Sequence, residues 1–299
     1  MQKGLIAING KVYPSDEALI SPLDRGFLFA DNVFEVFAGF NDKLLDTLPH
    51  LIRLRKSASE IGLEIPWSDA ELEFELLGLL KQLNCPKAYL RLVVTRGYGL
   101  GLDYAEQTPN RITYCFAAKP LPDRFSAEGI SLYKVTNHKD ERQAAIKTAN
   151  YLLSIVALAK AKNLGFDDVL FVNASREVQE ASTANIFFLG QEEGKIEIAT
   201  PSLRSGILKG ITRDRIIHLL SSHEILVEEK IIFEDELPRY DEAFLCSTVK
   251  GLIPIARIGD HKFHFDRKGS IFKTIEALFL NDIAKTLGHL VEWNTGRVN

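Results

Sequence analysis

A single lysine, Lys147, stands in an apolar segment just before a predicted helix, and its chemistry depends on its burial. In apolar surroundings, desolvation lowers the pKa of a lysine amine, which frees the amine for Schiff-base chemistry. The alternative is a lysine at a strand edge that extends its ammonium into solvent along its aliphatic chain. The segment alone favours this second interpretation.

Glu180 begins a run of small residues that leads into an apolar predicted strand. A carboxylate buried there needs a cationic partner, and a protonated ring nitrogen would serve. A carboxylate that caps backbone amides in a turn explains the same segment equally well. Both interpretations stay open from these residues alone.

A glycine-containing loop, residues 205–214, leads into a predicted helix. Gly210 allows a sharp turn, after which the amides of Ile211 and Thr212 open the helix without helical partners. Such a helix end binds a phosphate through its free amides and its dipole, and the Thr212 hydroxyl adds a donor. By itself the segment is more typical of an ordinary loop-to-helix junction with threonine as the N-cap.

These three segments occur in the order lysine, carboxylate, glycine loop, together with further motifs. The whole set resembles the class IV aminotransferases of pyridoxal phosphate (PLP) fold type IV, and it reverses the interpretation that each segment favours alone. The motifs that carry the resemblance are Asp24-Arg25-Gly26, Asp31-Asn32-Val33-Phe34-Glu35, His50-Leu51-Ile52-Arg53-Leu54, Lys147-x-x-Asn150, Glu180-x-x-x-x-Asn185-Ile-Phe, Gly206-Ile-Leu-Lys-Gly210-Ile-Thr-Arg213 and Ser247-Thr248-x-x-x-x-Ile253-Pro254.

The resemblance implies an α+β protein of PLP fold type IV, with a small N-terminal α/β domain and a larger C-terminal pseudo-barrel α/β domain. The hydrophobic pattern agrees, because short apolar runs in residues 5–48 predict antiparallel strands, and a helical period predicts helices at 48–62 and 68–83. Two prolines in residues 119–123 interrupt regular structure. We therefore expect an N-terminal domain at 1–118, a linker at 119–129 and a PLP-binding domain at 130–299.

The resemblance also assigns roles around the cofactor, PLP. Lys147 would be the catalytic residue, which holds PLP through a Schiff base and moves the substrate proton. Glu180 would pair with the ring nitrogen, Tyr151 would bind the phenolic oxygen, and Arg53 would bind the phosphate. The implied cofactor-binding residues are Arg53, Lys147, Tyr151, Glu180, Gly210, Ile211, Thr212, Ser247 and Thr248.

The substrate side of the sequence departs from the pattern of the family. Val36 and the string Thr95-Arg96-Gly97 resemble D-amino-acid aminotransferases, but the Arg-x-His that usually binds carboxylate in that group falls here on Gly101 and Asp103. Arg91 can supply the contact, because a guanidinium binds a carboxylate through two parallel hydrogen bonds; pairing with a surface acid is the alternative. The implied substrate-binding residues are Arg25, Phe34, Val36, Arg91 and Val249.

We expect a ping-pong transfer of an amino group between an amino acid, with D-alanine or D-glutamate favoured, and a 2-oxo acid. Phe34, Tyr151 and Arg91 also resemble branched-chain enzymes, so an L-branched-chain aminotransferase is the second hypothesis. A 4-amino-4-deoxychorismate lyase is the third, although Val36 stands where that enzyme often has a threonine. The resemblance further implies a homodimer with its active site at the subunit interface, where a partner contributes Arg25, Phe34 and the loop 98–107.

Composition excludes other classes of protein. With 36 Lys and Arg against 40 Asp and Glu, the net charge is -4, and no basic stripe predicts nucleic-acid binding. Three widely spaced cysteines without a metal-ligand spacing indicate reduced core residues, so neither disulfides nor a metal is expected. The longest apolar helical stretch, 151–161, is too short to span a bilayer, and the N-terminus is no signal peptide. These features predict a cytoplasmic protein.

Overall fold

The structure is a computed structural model that describes residues 4–103, 108–137, 144–192, 195–265, 268–289 and 293. The chain forms two compact units. Among the described residues, the first contains residues 4–119 and 146–151, and the second contains residues 120–145 and 152–293. The segment that carries Lys147 and Tyr151 therefore groups with the first unit, whereas the predicted division at 118 and 130 places it in the second.

The first unit is built on a six-stranded antiparallel sheet in the order β2-β1-β6-β5-β3-β4. The strands are β1 Gly4–Ile8, β2 Lys11–Pro14, β3 Asn32–Phe40, β4 Lys43–Leu44, β5 Lys87–Thr95 and β6 Asn110–Ala117, and the helices are α1 Arg25–Phe29, α2 Thr47–Glu60 and α3 Asp69–Leu83. One apolar core joins leucines of α2 and α3 to Phe37 of β3 and Leu90 of β5. Burial of this apolar face drives the packing of the helices.

The ends of α3 follow directly from the sequence. Ser68 accepts a hydrogen bond from the amide of Glu71, and the Glu71 side chain accepts one from the Ser68 amide. This reciprocal capping box satisfies two donors that the first helical turn leaves unpaired. Asn84 ends the helix in the left-handed conformation, and the observed start at Asp69 lies one residue from the predicted one.

The second unit contains a nine-stranded mixed sheet in the order β12-β11-β10-β13-β14-β7-β8-β9, with β15 paired to β14. Its strands are β7 Ile130–Thr136, β8 Asp168–Val172, β9 Val178–Ala181, β10 Asn185–Glu192, β11 Lys195–Pro201, β12 Glu228–Lys230, β13 Glu242–Ser247, β14 Gly251–Ile258 and β15 His261–Lys262. Its helices are α4 Asp123–Ala127, α5 Leu152–Asn163, α6 Ile211–Ser221 and α7 Ile271–Leu287, with single 3-10 turns at Leu203–Ser205 and Leu237–Arg239. Buried residues of β7, β8, β10, β13 and β14 form its core.

Two segments differ from the sequence prediction for a local reason. The sequence predicts a loop after β13, in a segment where Pro254 lacks an amide donor, yet this segment forms β14. Pro254 is tolerated because the pairing of β14 with β7 begins only at Ile255. The short helix α4 lies inside the predicted linker, with Pro122 at its N-cap.

Glu242 of β13 is a fully buried carboxylate that fixes the start of a helix. It accepts hydrogen bonds from the Ser270 hydroxyl and from the amides of Ile271 and Phe272, and so caps the start of α7. Within the described residues, no helix is long and apolar enough to cross a membrane.

Candidate active site

The backbone of Lys147 is fastened to two elements of the first unit. Its carbonyl accepts a hydrogen bond of 3.0 Å from the amide of Phe34 in β3, and its amide donates one of 3.2 Å to the Ser57 hydroxyl of α2. Two residues further on, the amide of Ala149 donates to Asn32 of β3. These bonds explain why the segment groups with the first unit, and they fix the backbone of Lys147 beside β3.

Four side chains meet around one ring, and we call them the Phe34 cluster: Phe34, Arg91, Lys147 and Tyr151. The Lys147 Nζ lies 4.6 Å from the Phe34 ring centroid, and the Arg91 guanidinium carbon lies 4.0 Å from it. The Tyr151 ring centroid is 5.8 Å from that of Phe34. The electron-rich face of an aromatic ring attracts cations, so Phe34 holds two of them close together.

Arg91 carries unsatisfied hydrogen-bonding capacity. Its Nε is buried and makes no hydrogen bond with any residue that the structure describes. Arg91 stands opposite Val36 in the β3–β5 pairing, which places two predicted substrate residues on neighbouring strands. A buried donor without a partner costs free energy, so this nitrogen is suited to an anionic ligand.

The resemblance places Phe34 among the residues contributed by a partner subunit, and the structure corrects this. The ring of Phe34 contacts Lys147 of its own chain, because the same residue of β3 also donates its amide to the Lys147 carbonyl. Phe34 therefore needs no second subunit to reach this lysine.

Arg53, the predicted phosphate ligand, lies in a buried ionic cluster with Glu35 and His50. Its Nε and Nη2 donate to the two carboxylate oxygens of Glu35 at 2.6 and 2.8 Å, and His50 Nδ1 lies 2.7 Å from Glu35 Oε2. Burial raises the pKa of Glu35, but the charge and hydrogen bonds of Arg53 and the hydrogen bond of His50 outweigh it and lower the pKa to about 2. Burial lowers the pKa of His50 despite the neighbouring carboxylate. Glu35 therefore fixes the orientation of the Arg53 guanidinium.

Arg25 is the first residue of α1, and its side chain contacts the loop that follows β5. Its Nε donates to Asp31 at 2.8 Å, and its other nitrogens donate to the carbonyls of Gly101, Leu102 and Asp103. The guanidinium thus supports the segment in which the usual Arg-x-His is missing. The remainder of the predicted loop, residues 104–107, lies outside the described residues.

Glu180, at the third residue of β9, forms part of a cluster in the second unit, which we call the Glu180 cluster: Glu180, Asn185, Leu208 and Gly210. Glu180 Oε2 accepts hydrogen bonds from the Asn185 side-chain amide at 3.1 Å and from the Leu208 amide at 3.3 Å. The preceding residue, Gln179, donates to the carbonyls of Ser205 and Gly206. The strand and the glycine loop are therefore tied together on both sides of the carboxylate.

The start of α6 has the features of an anion site. Gly210 is the N-cap and offers no side-chain hydrogen bond, so the first amides, those of Ile211 and Thr212, have no helical acceptor. Thr212 is buried. The helix is anchored by Arg213, which is buried and donates to the Pro201 carbonyl and to Glu229. The positive end of the helix dipole adds to this site.

Ser247, Thr248 and Val249 lie at the turn between β13 and β14. The indole Nε1 of Trp293 donates to the Val249 carbonyl at 3.0 Å, and its ring centroid lies 5.4 Å from that of Phe279. A side chain on Gly251 would clash with the indole, because a Cβ there would be 2.5 Å from Nε1. Trp293 is therefore a support for the predicted substrate turn.

The structure brings the predicted residues into two groups. Lys147, Phe34, Arg91 and Tyr151 meet in the first unit, and Glu180 meets the glycine loop in the second. The sequence does not single out four residues that support predicted site residues: Asn185 in the Glu180 cluster, Glu35 and His50 beside Arg53, and Trp293 at the turn after β13. The first three lie inside the motifs quoted above, so a signal was present, whereas Trp293 stands in a C-terminal tail with no pattern.

Comparisons with known proteins identify the family of the chain. The sequence model of the family described as Amino-transferase class IV matches residues 32–258. The chain is 32% identical over 278 residues to a Methanocaldococcus jannaschii protein named as a branched-chain-amino-acid aminotransferase, and the match covers 92% of this chain and 94% of that protein. It is 29% identical over 285 residues to the D-alanine aminotransferase of Bacillus licheniformis, and this match covers 93% of this chain and 96% of the relative.

A solved structure shares the fold. The branched-chain aminotransferase of the archaeon Thermoproteus uzoniensis, crystallised with norvaline, superposes with a TM-score of 0.83 at 24% identity, and the match covers 96% of this chain and 95% of that chain. At this identity the likeness shows the fold alone.

Proposed function

The chain belongs to the class IV aminotransferases, whose cofactor is PLP, and on this premise we propose that it transfers the amino group of a D-amino acid, such as D-alanine or D-glutamate, to a 2-oxo acid. The observation that carries the proposal is the Phe34 cluster, in which a lysine amine and a guanidinium with an unpartnered Nε share one aromatic ring among the described residues. The amine serves the chemistry, and the guanidinium serves the carboxylate that amino acids and 2-oxo acids have in common.

The described residues fit PLP at both ends. The N-cap at Gly210 has no side-chain hydrogen bond, and the amides of Ile211 and Thr212 have no helical acceptor among the described residues, so this helix start is suited to a phosphate. The Glu180 carboxylate, fixed by two donors, is suited to a protonated ring nitrogen. We propose that these residues are PLP ligands, and the resemblance assigns Lys147, Arg53, Tyr151, Ser247 and Thr248 to the cofactor as well.

When bound, PLP accepts electrons from the substrate Cα and so makes its proton acidic. The chain supplies the groups that exploit this acidity. Lys147 Nζ would accept the Cα proton and return it, and the Phe34 amide keeps the lysine backbone in place for both transfers. Arg91 would hold the substrate carboxylate and so fix the direction of the Cα–H bond.

Support for the D-configuration comes from the likeness to D-alanine aminotransferase and from the Thr95-Arg96-Gly97 string. The L-branched-chain alternative rests on the identity with the Methanocaldococcus protein.

We also propose a homodimer, because the exposed face of α5 carries Leu152, Leu153, Ile155 and Val156, each at least 60% exposed. An apolar face of this kind is typical of a subunit interface.

The substrate proposal is tested by adding D-alanine, D-glutamate or L-leucine separately to the purified holoenzyme. We expect the absorbance of the lysine-bound cofactor to fall with either D-amino acid and to stay unchanged with L-leucine. The Lys147→Ala variant should lack this absorbance, and Arg91→Ala should lose activity with both D-alanine and D-glutamate, because both carry the carboxylate that Arg91 would hold.

The opposite results decide between the hypotheses. A loss of absorbance with L-leucine alone would establish the branched-chain alternative. Pyruvate release from 4-amino-4-deoxychorismate without a 2-oxo acid acceptor would favour the lyase. An Arg91→Ala variant that keeps its activity with both D-amino acids would contradict the role of Arg91 in holding the substrate carboxylate.

A further inference from the structure

The side chain of Asn185 occupies the centre of the Glu180 cluster. It is the first residue of β10, and only 6% of it is exposed. Its Nδ2 donates to two acceptors, the Glu180 carboxylate at 3.1 Å and the Leu208 carbonyl at 3.0 Å. Since a side-chain amide has two N–H groups, both are used. One short side chain therefore joins β9, β10 and the glycine loop.

The other end of the same amide faces the start of α6. A Cβ built on Gly210 would lie 1.9 Å from Asn185 Oδ1 and 3.1 Å from its Cγ. The φ angle of Gly210 is -75°, which any residue can adopt, so the glycine is required by this close approach and not by its backbone conformation. Asn185 and the N-cap of α6 are thus packed directly against each other.

We propose that Asn185 is a positioning residue that holds the Glu180 carboxylate and the phosphate-binding end of α6 in one fixed arrangement. The proposal rests on the function proposed above, in which these two features bind the ring nitrogen and the phosphate of one PLP. In this proposal, neither Nδ2 nor Oδ1 of Asn185 contacts the cofactor.

The physical reason lies in the rigidity of the ligand. The pyridine ring of PLP sets the separation between its nitrogen and its phosphate-bearing carbon, so a site that binds both must keep its acceptor and its donors at a matching separation. Binding energy is lost when the protein has to order these groups at the moment of binding. An amide that is hydrogen-bonded to one group and packed against the other removes this cost before the ligand arrives.

The test uses Asn185→Asp and Asn185→Ala in the full chain, with apoenzyme titrated with PLP and followed by tryptophan fluorescence. The first variant keeps the shape but places a second carboxylate beside Glu180, and the second removes the side chain. We expect the dissociation constant of PLP to rise about tenfold or more in each, the change expected for a lost hydrogen bond to a charged group. The pH at which the absorbance of the bound cofactor changes should also differ between these variants and the wild type.

A double-mutant cycle separates positioning from general loss of structure. In a Glu180→Gln background, the amide introduced at position 180 can donate to the carboxylate introduced at position 185. We therefore expect the penalty of Asn185→Asp on PLP affinity to shrink to about threefold or less there, since contacting residues are non-additive. A penalty of the same size in both backgrounds would overturn the proposal.

The matched control is Asn173→Asp. Asn173 Nδ2 donates to Glu177 Oε2 at 2.9 Å, which is the same type of pair in the turn between β8 and β9. We expect this variant to bind PLP as the wild type does. If Asn185→Asp also binds PLP like the wild type while thermal unfolding shows a folded apoenzyme, Asn185 does not position the site.

Failure of the proposed function gives a different result. If the wild-type protein binds no PLP, or if Lys147→Ala binds PLP as tightly as the wild type does, the functional proposal fails. The Asn185 variants play no part in that outcome. If wild type binds PLP through Lys147 and the Asn185 variants match it, only the positioning role is refuted.

Discussion

The ionic cluster around Glu35 shows how a single residue prepares a binding group. Glu35 is fully buried, and it carries a bidentate pair with Arg53 and a bond to His50. A buried charge that loses its partner is strongly destabilising, so the ionised carboxylate is needed wherever Arg53 is charged. The cluster fixes the plane of the Arg53 guanidinium, the group that the proposed function assigns to the cofactor phosphate.

At the residue scale we predict that Glu35→Gln lowers the free energy of unfolding by about 3 kcal/mol at pH 7. The folded-state pKa of Glu35, about 2, lies below its usual value of 4.5. The ionised carboxylate therefore stabilises the fold above pH 4.5, and this contribution disappears as the pH falls towards 2. Urea unfolding of wild type and variant at several pH values should show their difference shrinking over this interval.

The control is Glu60→Gln, which changes an exposed carboxylate on α2. Its stability should differ little from wild type at every pH. A difference between wild type and Glu35→Gln that stays constant from about pH 5 to about pH 2 would contradict the assignment of the shift to Glu35.

At the scale of elements, the start of α6 depends on its neighbours more than on its own sequence. The N-cap glycine supplies no side-chain hydrogen bond, and the helix is instead fixed by Arg213 and by the hydrogen bonds between Gln179 and the preceding loop. The loop conformation is thereby set by strand β9, which lies well before it in the chain. Because neighbouring elements fix the start of α6, its first amides can bind a ligand.

We predict that Gly210→Ala weakens PLP binding and lowers stability, because its Cβ would meet Asn185 Oδ1 at 1.9 Å. The matched control is Gly78→Ala in α3, where an added Cβ has no atom within 4 Å. Since alanine is a better helix former than glycine, this control should gain about 1 kcal/mol. Thermal unfolding and PLP titration measure both effects, and a Gly210→Ala variant as stable as Gly78→Ala would disprove the close packing.

At the scale of the whole molecule, the exposed apolar side chains require an explanation. Besides those of α5 in the second unit, Phe27 in the first unit is 67% exposed. A stable dimer buries about 800 Å² on each partner. These residues are consistent with the homodimer proposed above.

We predict that wild-type protein has the mass of two chains in size-exclusion chromatography with light scattering, and that Ile155→Glu combined with Val156→Glu has the mass of one. A charge at the centre of an apolar interface cannot be desolvated without a partner. Phe74→Glu, at an 82% exposed position of α3, is the control and should stay dimeric. A monomeric wild type would contradict the homodimer.

Much of the fold follows from the sequence because its cues are local. The β-branched and aromatic run of β3 and the helical period of α2 and α3 predict these elements within a few residues. The predicted fold class and the PLP-dependent aminotransferase family are confirmed by the family match and the shared fold. The sequence does not predict strands β9 and β14, because β9 is four residues long and β14 contains Pro254, so that only pairing with neighbours defines them.

The sequence by itself therefore determined the chemistry that the chain can perform, since Lys147, Glu180 and the glycine loop keep their identity and order in any fold. Only the tertiary structure decided which groups surround them. Phe34 beneath Lys147, Glu35 on Arg53 and Asn185 between Glu180 and α6 are contacts between segments distant in sequence or on different elements. Such contacts arise when burial brings strands together, and no local pattern encodes their geometry.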